Sequence, residues 1–168
     1  MPRLIRLKAG QFAWADDRFT AVADEEPIPA GDVILSLKRF MAEGEALLAN
    51  RAVGVLLAPG EAVEDLAYDL HRLPVVALAF PKYRDGRGLT SARLLRERYG
   101  YKGEVRAVGE VLREQALHMV RCGFDAFAPA DGSDPDAWAA AAVRRYRHVY
   151  QRAADAREPA FEEREDGA

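Results

Sequence analysis

The sequence predicts one α/β domain with a mostly parallel sheet of about four to five strands, helices on the faces of the sheet and a β-hairpin at the N-terminus. From Val53 onward, short β-rich runs alternate with stretches of helical periodicity, which is typical of βα units. The chain has 168 residues, of which 49% are hydrophobic and 30% charged, as expected for one globular core. A flavodoxin-like open sheet is the favoured arrangement, and a partial βα barrel is the alternative.

The N-terminal hairpin is predicted over residues 3–22, where apolar and polar residues alternate loosely. Its predicted turn is Asp16-Asp17-Arg18. Residues 24–31 contain two prolines and one glycine and are a predicted loop. Asp32–Leu35 then leads into a helical stretch over residues 37–47.

Parallel strands and helices alternate in the middle of the chain. Apolar residues at helical spacing predict helices over 63–70, 94–99 and 112–119. Gly100 and Gly123 follow the second and third helices, where a left-handed capping residue is favoured. The predicted strands are Val53–Ala58, Val75–Phe80, Glu104–Gly109 and Phe124–Ala128.

The domain is predicted to end in a helix and an acidic tail. Asp134 and Pro135 are a good N-cap and first residue for a helix that runs to Val149. We therefore expect residues 1–153 to form one α/β domain. Residues 154–168 hold six acidic and two basic residues with little apolar content, which predicts a disordered tail.

Charge and hydrophobicity exclude several classes of partner. The formal net charge is −3, and no block of like charge suggests binding to nucleic acid. The N-terminus lacks the apolar stretch of a signal peptide, and no run reaches the ~18 apolar residues of a membrane span. We therefore expect a cytoplasmic protein that binds neither nucleic acid nor membranes. Composition leaves a homo-oligomer open.

Cysteine and histidine usage limits redox and metal chemistry. Cys122 is the only cysteine, which excludes an intramolecular disulfide and an iron–sulfur cluster held by the protein's own thiolates. It follows Arg121 at a predicted helix C-terminus, so a buried structural cysteine is favoured, although the arginine leaves reactivity open. The three histidines lack metal-ligand spacing, and we expect no metal site. Any redox cofactor would have to be borrowed.

The loop after the second parallel strand is the strongest candidate for a binding site. Ligands of βα folds bind outside the carboxyl ends of the strands, where loops converge. This loop combines cations that can hold an oxyanion, glycines that let the backbone approach a ligand, and hydroxyls at a helix start. Asp85 would orient Arg87, bind a ligand hydroxyl or form an Asx turn. The candidate residues are Lys82, Arg84, Asp85, Gly86, Arg87, Gly88, Thr90 and Ser91.

The next strand and helix extend this candidate site. Arg106, Glu110 and Gln115 are predicted to face the same crevice, although Arg106 could instead bridge strands structurally. Residues 82–121 carry ten basic and five acidic residues, which suggests a basic face. The alternative is that these arginines pair with acidic neighbours on solvated helix surfaces, at Glu97, Glu104 and Glu114.

Several blocks resemble a known bacterial family. Residues 80–88 (Phe-Pro-Lys-Tyr-x-Asp-Gly-Arg-Gly) and 103–109 (Gly-Glu-Val-Arg-Ala-Val-Gly) are joined in order by residues 111–115 and 121–127. Together they resemble an uncharacterised bacterial family, domain-of-unknown-function family nine hundred thirty-four, and the resemblance covers about residues 32–129. The blocks occur in sequence, which makes the signal specific.

The chain also departs from the family pattern. Leu89 stands where an aromatic residue is usual, which weakens a stacking role there. Glu110 and Glu114 stand where aspartate is common, so their charge is kept while their reach is longer.

The resemblance implies a role near sulfur assimilation. Family members are typically encoded beside assimilatory sulfite reductase and phosphoadenylylsulfate reductase and are often labelled as oxidoreductases of sulfite reduction. The leading expectation is an accessory protein that binds a small oxyanion or phosphorylated ligand at the loop. The second is a non-enzymatic adaptor that docks sulfite reductase or an acidic electron carrier through its basic face. The third is an oxidoreductase with a borrowed flavin or nicotinamide; the catalytic residues stay unassigned.

Overall fold

The computed structural model describes residues 4–143, 148–155 and 157–165. These form one eight-stranded sheet and five α-helices. The strands are Leu4–Lys8 (β1), Gln11–Ala15 (β2), Phe19–Ala21 (β3), Asp32–Ser36 (β4), Val53–Leu57 (β5), Val75–Phe80 (β6), Glu104–Gly109 (β7) and Ala126–Phe127 (β8). The helices are Leu37–Leu48 (α1), Arg87–Arg93 (α2), Ala116–Cys122 (α3), Pro135–Val143 (α4) and Ala160–Glu165 (α5).

The sheet corrects the predicted fold class. It holds eight strands in the order β2-β1-β8-β7-β6-β5-β4-β3, so the prediction of about four to five strands was too small. Strands β3 to β8 are parallel and lie in chain order, whereas β1 is antiparallel to both β2 and β8. A flavodoxin-like order is therefore wrong, because the order of the parallel strands never reverses. The sheet curls into a half-barrel.

The parallel strands present two different faces. On β6, Val76, Leu78 and Phe80 belong to the main hydrophobic core, and Val75 and Ala77 belong to a small second cluster. The buried hydrophobic side chains of α1, α2, α3 and α4 all belong to the main core. Successive right-handed crossovers that advance in one direction place every connection on the same side of a sheet. The helices therefore cover one face of the sheet, which we call the outer face. We call the opposite face the inner face.

The two edges of the sheet are joined by a very short connection. Strand β2 lies at one edge and β3 at the other, and only residues 16–18 lie between them. A segment from Ala15 to Phe19 can span at most about 14 Å. Eight strands laid flat would separate their outer members by about 34 Å. The connection therefore requires the strong curvature of the sheet.

The hairpin prediction is confirmed, but its turn was misplaced. Strand β1 pairs with β2 from Leu4↔Ala15 to Lys8↔Gln11, so the turn is Ala9-Gly10. Both turn residues have positive φ, 50° and 78°, as a two-residue hairpin turn of type I′ requires. The predicted turn residues, Asp16 to Arg18, instead form the connection between the sheet edges.

Several helix boundaries differ from the predictions. The helix predicted over 63–70 is reduced to a 3-10 turn over Val63–Leu66, and α2 continues as a π-helix over Leu94–Arg98. Gly100 and Gly123 have positive φ, 59° and 101°, as predicted for capping positions. The last helix does not reach Val149, which pairs with Pro159 in an isolated β-bridge. In the part of the chain that the structure describes, no helix has the length and apolarity to cross a membrane.

Candidate functional site

The candidate loop begins where β6 ends, and a glycine on β7 determines its geometry. Gly109 pairs with Phe80 at the ends of the two strands and has φ of 101°. A Cβ at this position would lie 2.4 Å from the Phe80 carbonyl oxygen, so only glycine fits. The N–H of the next residue, Glu110, donates to that oxygen at 2.7 Å. The turn at Gly109 therefore places Glu110 directly beside the loop.

Two side chains hold the main chain of Tyr83. The N–H of Tyr83 donates to Oε2 of Glu110 at 2.8 Å, and Nε2 of Gln115 donates to the Tyr83 carbonyl at 3.2 Å. Oε1 of Gln115 also accepts the N–H of Leu112 at 3.1 Å, which fixes the amide. We call residues 81–86, held in this way, the clamped loop. The structure thus brings Glu110 and Gln115 to the predicted site, where they position the loop.

Asp85 and Arg87 form an ion pair at the end of the clamped loop. Nε and Nη2 of Arg87 donate to the two Asp85 oxygens at 3.0 and 2.7 Å, and the Arg87 N–H donates to Oδ1 at 3.2 Å. Asp85 therefore both orients Arg87 and forms an Asx turn. Hydrogen bonds from Arg87 hold the pKa of the Asp85 carboxyl below its usual range. A Cβ on Gly60 would lie 3.4 Å from Nη1 of Arg87, so this guanidinium also lies beside the loop after β5.

Lys82 and Arg84 are the cations that the clamped loop leaves unpaired. Both side chains are exposed, and neither forms a hydrogen bond or ion pair within the described residues. Tyr83 between them is 44% exposed. Because the clamp bonds act on the main chain of Tyr83, the three side chains are presented outward from a fixed backbone.

The remaining loop residues contribute less to a binding surface. Gly88 is buried, and a Cβ there would lie 2.9 Å from Cζ of Phe80, so it serves packing against the strand. Gly86 has an ordinary φ of −86°, and a Cβ there would make only a van der Waals contact with Cδ1 of Leu89 at 3.8 Å. Thr90 is exposed and makes no cap bond, and the Ser91 hydroxyl lies 3.5 Å from the Arg87 carbonyl.

Arg106 is not brought to the clamped loop. Its side chain lies on the inner face with 4% exposure, where Nη1 and Nη2 donate to Asp17 at 2.7 and 3.0 Å. Nε donates to Glu104 at 2.7 Å, and Glu104 also accepts from Arg6 at 2.7 Å. We call Arg6, Asp17, Glu104 and Arg106 the ionic cluster. All three donor nitrogens of Arg106 are used there, which matches the structural alternative for this residue.

The basic residues of 82–121 are largely neutralised. Beyond the pairs already described, Arg93 pairs with Glu97, Arg98 with Glu64, and Arg113 with Glu114. Surface pairs of this kind leave little net field. Two further cations lack an acidic partner among the described residues: Lys102 is exposed, and Arg121 donates to the Gln151 carbonyl. Lys82 and Arg84 are the unpaired cations on the clamped loop itself, so they are the positive feature that a ligand would meet there.

Cys122 lines a pocket that also includes Gly86, the last residue of the clamped loop. It is 5% exposed, and burial raises the pKa of its thiol. A thiol kept protonated is a poor nucleophile, so the structural interpretation is favoured. Among the described residues, no group of three or more histidine, cysteine or carboxylate side chains is arranged to hold a metal ion.

Sequence reasoning missed how the loop is held. It grouped Glu110 and Gln115 with the cations as ligand residues, whereas they bind the main chain of Tyr83. The spacing from Tyr83 to these residues, 27 and 32 positions, carries no local signal. The glycine at the end of β7 was the available clue, because glycine at a strand end often marks a turn.

Comparison with known proteins identifies one matching family. A family model described as "Bacterial protein of unknown function (DUF934)" matches residues 54–161, which is more than half of the chain. The matched range includes the whole clamped loop and both side chains that hold it. No curated protein matches the chain.

Proposed function

The chain belongs to this bacterial family of unknown function, DUF934, as its sequence blocks predicted, and from its site we propose that the protein binds an oxyanion or a phosphorylated ligand on the clamped loop. The observation that carries the proposal is the pair of unpaired cations, Lys82 and Arg84, on a backbone held by Glu110 and Gln115. A held backbone lowers the entropy cost of bringing two cations to one anion. Arg87 adds a third cation, a guanidinium that Asp85 orients.

The biological setting of the proposal comes from the family resemblance. Members encoded beside reductases of sulfate and sulfite suggest a cytoplasmic accessory protein of assimilatory sulfur reduction. Sulfate, sulfite and phosphosulfates all carry several oxygen atoms around a tetrahedral or pyramidal centre, and lysine and arginine bind such oxygen atoms. The chemistry of the site and the proposed pathway are therefore compatible.

A thermal-shift series tests the ligand. Sulfate, sulfite, phosphate and phosphoadenylylsulfate are each titrated into the full chain, because a ligand that binds the native state raises Tm. We expect a concentration-dependent rise with at least one of them, and loss of that rise in the double variant Lys82→Ala/Arg84→Ala. The matched control is Lys8→Ala/Lys38→Ala, which removes two exposed, unpaired cations outside the clamped loop.

The control decides how a change is interpreted. An equal loss in both double variants would mean that net charge governs binding, which contradicts a site on the loop. No rise with any of the anions in the wild-type protein would contradict the small-ligand proposal itself.

A second candidate is docking of an acidic protein partner at the same loop. The observation that favours it is Tyr83, 44% exposed between two unpaired cations, because exposed tyrosine and arginine are enriched at protein interfaces. Binding of sulfite reductase or an acidic electron carrier would then weaken steeply with salt. Surface plasmon resonance at rising ionic strength tests this function. The binding of the wild-type protein is compared with that of Tyr83→Ser and of Lys82→Ala/Arg84→Ala. Salt-independent binding would contradict it.

A further inference from the structure

A cavity of about 520 Å³ lies on the outer face, away from the clamped loop. The β1-β2 hairpin forms one wall, α3 and the residues after it form another, and the segment near residue 155 forms a third. Its lining is mainly apolar: Leu7, Phe12, Leu117, Val120, Phe124 and Ala142. A concave apolar space of this size with few polar groups is typical of small-molecule sites.

One polar atom in the lining lacks a partner. Asp155 lines the cavity, and its Oδ2 is buried without a hydrogen bond in the part of the chain that the structure describes. Its other oxygen, Oδ1, accepts the N–H of Arg157 at 3.4 Å. A buried carboxylate oxygen without a donor is costly, and native proteins rarely leave one. The unpaired oxygen therefore indicates where a ligand would place a donor.

The charge around the cavity limits the kind of donor. Arg96 and Arg157 line the cavity together with Asp155. Nη2 of Arg96 donates to Asp125 at 2.8 Å, and its other nitrogens donate to main-chain carbonyls of Tyr101, Gly103 and Gly123. Asp125 compensates Arg96, which leaves Arg157 and Asp155, so the cavity has no net negative charge to offset the desolvation of a cationic amine. An uncharged N–H or O–H group fits better.

We propose that this cavity binds a small, uncharged, mainly apolar molecule that donates one N–H or O–H hydrogen bond to Oδ2 of Asp155. The apolar body would replace water against Phe12, Leu117 and Phe124, and the donor would satisfy the unpaired oxygen. The site shares no lining residue with the clamped loop, so it is independent of the function proposed there.

The test uses indole and 1-methylindole, which have similar shapes and differ in the N–H donor. Both are titrated into the full chain and followed by ligand-observed NMR. We expect indole to bind about tenfold or more tightly than 1-methylindole, as a hydrogen bond to a carboxylate would give. Asp155→Ala should remove that preference, whereas Glu114→Ala, which removes an exposed acid elsewhere, should keep it.

Blocking variants complete the test. Val120→Phe and Ala154→Leu each add side-chain volume to the lining and should abolish binding of indole, and circular dichroism identifies whichever variant is folded. Equal affinity for the two probes, an unchanged preference in Asp155→Ala, undiminished binding in a folded blocking variant, or no binding of either probe would each overturn the proposal.

Discussion

Gly109 shows how a single backbone position controls the candidate site. Its φ of 101° turns the chain so that Glu110 can accept the N–H of Tyr83. A side chain there would be strained by the dihedral angle and would also collide with the Phe80 carbonyl at 2.4 Å. The clamp on the loop therefore depends on a residue outside the loop itself.

We expect Gly109→Ala to lower the free energy of unfolding by at least about 2 kcal/mol, because the left-handed dihedral and the backbone collision both oppose it. Gly86→Ala is the matched control at the other end of the clamped loop, with φ of −86° and only Leu89 Cδ1 nearby at 3.8 Å. It should cost no more than about 1 kcal/mol, because its φ is ordinary for alanine and the main loss is the N-cap preference for glycine at the start of α2. Urea denaturation measures both variants, and a similar cost for the two would contradict the role of Gly109.

The Asp85–Arg87 pair predicts a pH dependence on the acidic side. Hydrogen bonds from Arg87 lower the pKa of Asp85 in the folded protein relative to about 3.9 in an unfolded chain. A lowered folded pKa contributes stability that is present above the unfolded value and is lost as pH falls through the folded value. The pair therefore stabilises the protein at neutral pH and stops doing so in acid.

Arg87→Ala should return the pKa of Asp85 towards its ordinary value, because the first cause of the shift is removed. Arg84→Ala should leave it unchanged, since Arg84 makes no bond to the carboxylate. Titration of the Asp85 carboxyl carbon by NMR measures both. An unchanged pKa in Arg87→Ala would show that another group holds the carboxylate ionised.

Residue chemistry was predictable from sequence where the partners are close along the chain. Two of the three proposed roles of Asp85, the Asx turn and the orientation of Arg87, involve residues two positions apart and are present. Arg106 was placed at the site because it lies on the strand after the loop. Its partner Asp17 is 89 residues away, and no local pattern indicates such a pair.

At the scale of elements, the ionic cluster binds the connection between β2 and β3 to strand β7. Asp17 lies within this connection and is 9% exposed, and Arg106 of β7 is 4% exposed. The Arg106 guanidinium also lies 5.9 Å from the centre of the Phe19 ring at the start of β3. The connection, the start of the edge strand β3 and the central strand β7 therefore meet at the buried guanidinium of Arg106.

Removing one member of the cluster should leave an uncompensated buried charge. We expect Asp17→Ala to cost about 3 kcal/mol of unfolding free energy. Adding Arg106→Met to Asp17→Ala should recover at least about 1 kcal/mol, because the unpaired guanidinium is replaced by an apolar side chain. Chemical denaturation of the single and double variants measures this.

The exposed pair Arg113–Glu114 provides the comparison, with side chains 50% and 52% exposed. Arg113→Ala should change stability by no more than about 0.5 kcal/mol. A double variant less stable than Asp17→Ala alone would contradict the buried-charge explanation and would point to Glu104 as the group left unsatisfied.

The elements were predicted best where a strand is long and buried on both sides. The bounds of β6 and β7 agree with the predictions, because their apolar runs end in clear turn signals. Strand β3 has three residues, and β4 passes into α1 without a loop, so neither offered a separate pattern. The turn Ala9-Gly10 was missed because alanine seldom adopts φ of 50°.

For the whole molecule, the ladder between β6 and β7 should be the most stable part of the sheet. It joins six residue pairs at the centre, whereas β8 joins β7 by two pairs and β3 joins β4 by three. Amides in central strands exchange at the highest free energies of opening. We expect hydrogen exchange to be slowest in residues 75–80 and 104–109 and faster in 19–21. Slowest exchange in β3 would contradict this order.

The global arrangement was only partly accessible from sequence. Alternating βα units indicated a mostly parallel sheet, and the structure has one. Strand order depends on which edges meet, and hydrophobic periodicity in single segments does not encode that. The helices lie on one face because the strands advance in one direction, a property of the connections that no single helix reveals.

The short connection between the sheet edges also constrains the order of events during synthesis. Residues 4–21 leave the ribosome early, but Arg6 and Asp17 pair with residues 98 and 89 positions later. Non-local contacts form only after the entropy of closing the intervening loop has been overcome. Strands β1 to β3 are thus synthesised before β7 but are among the last to complete their tertiary contacts. A nascent chain that stops short of β7 carries two unfinished sheet edges, which are ready templates for pairing with other chains.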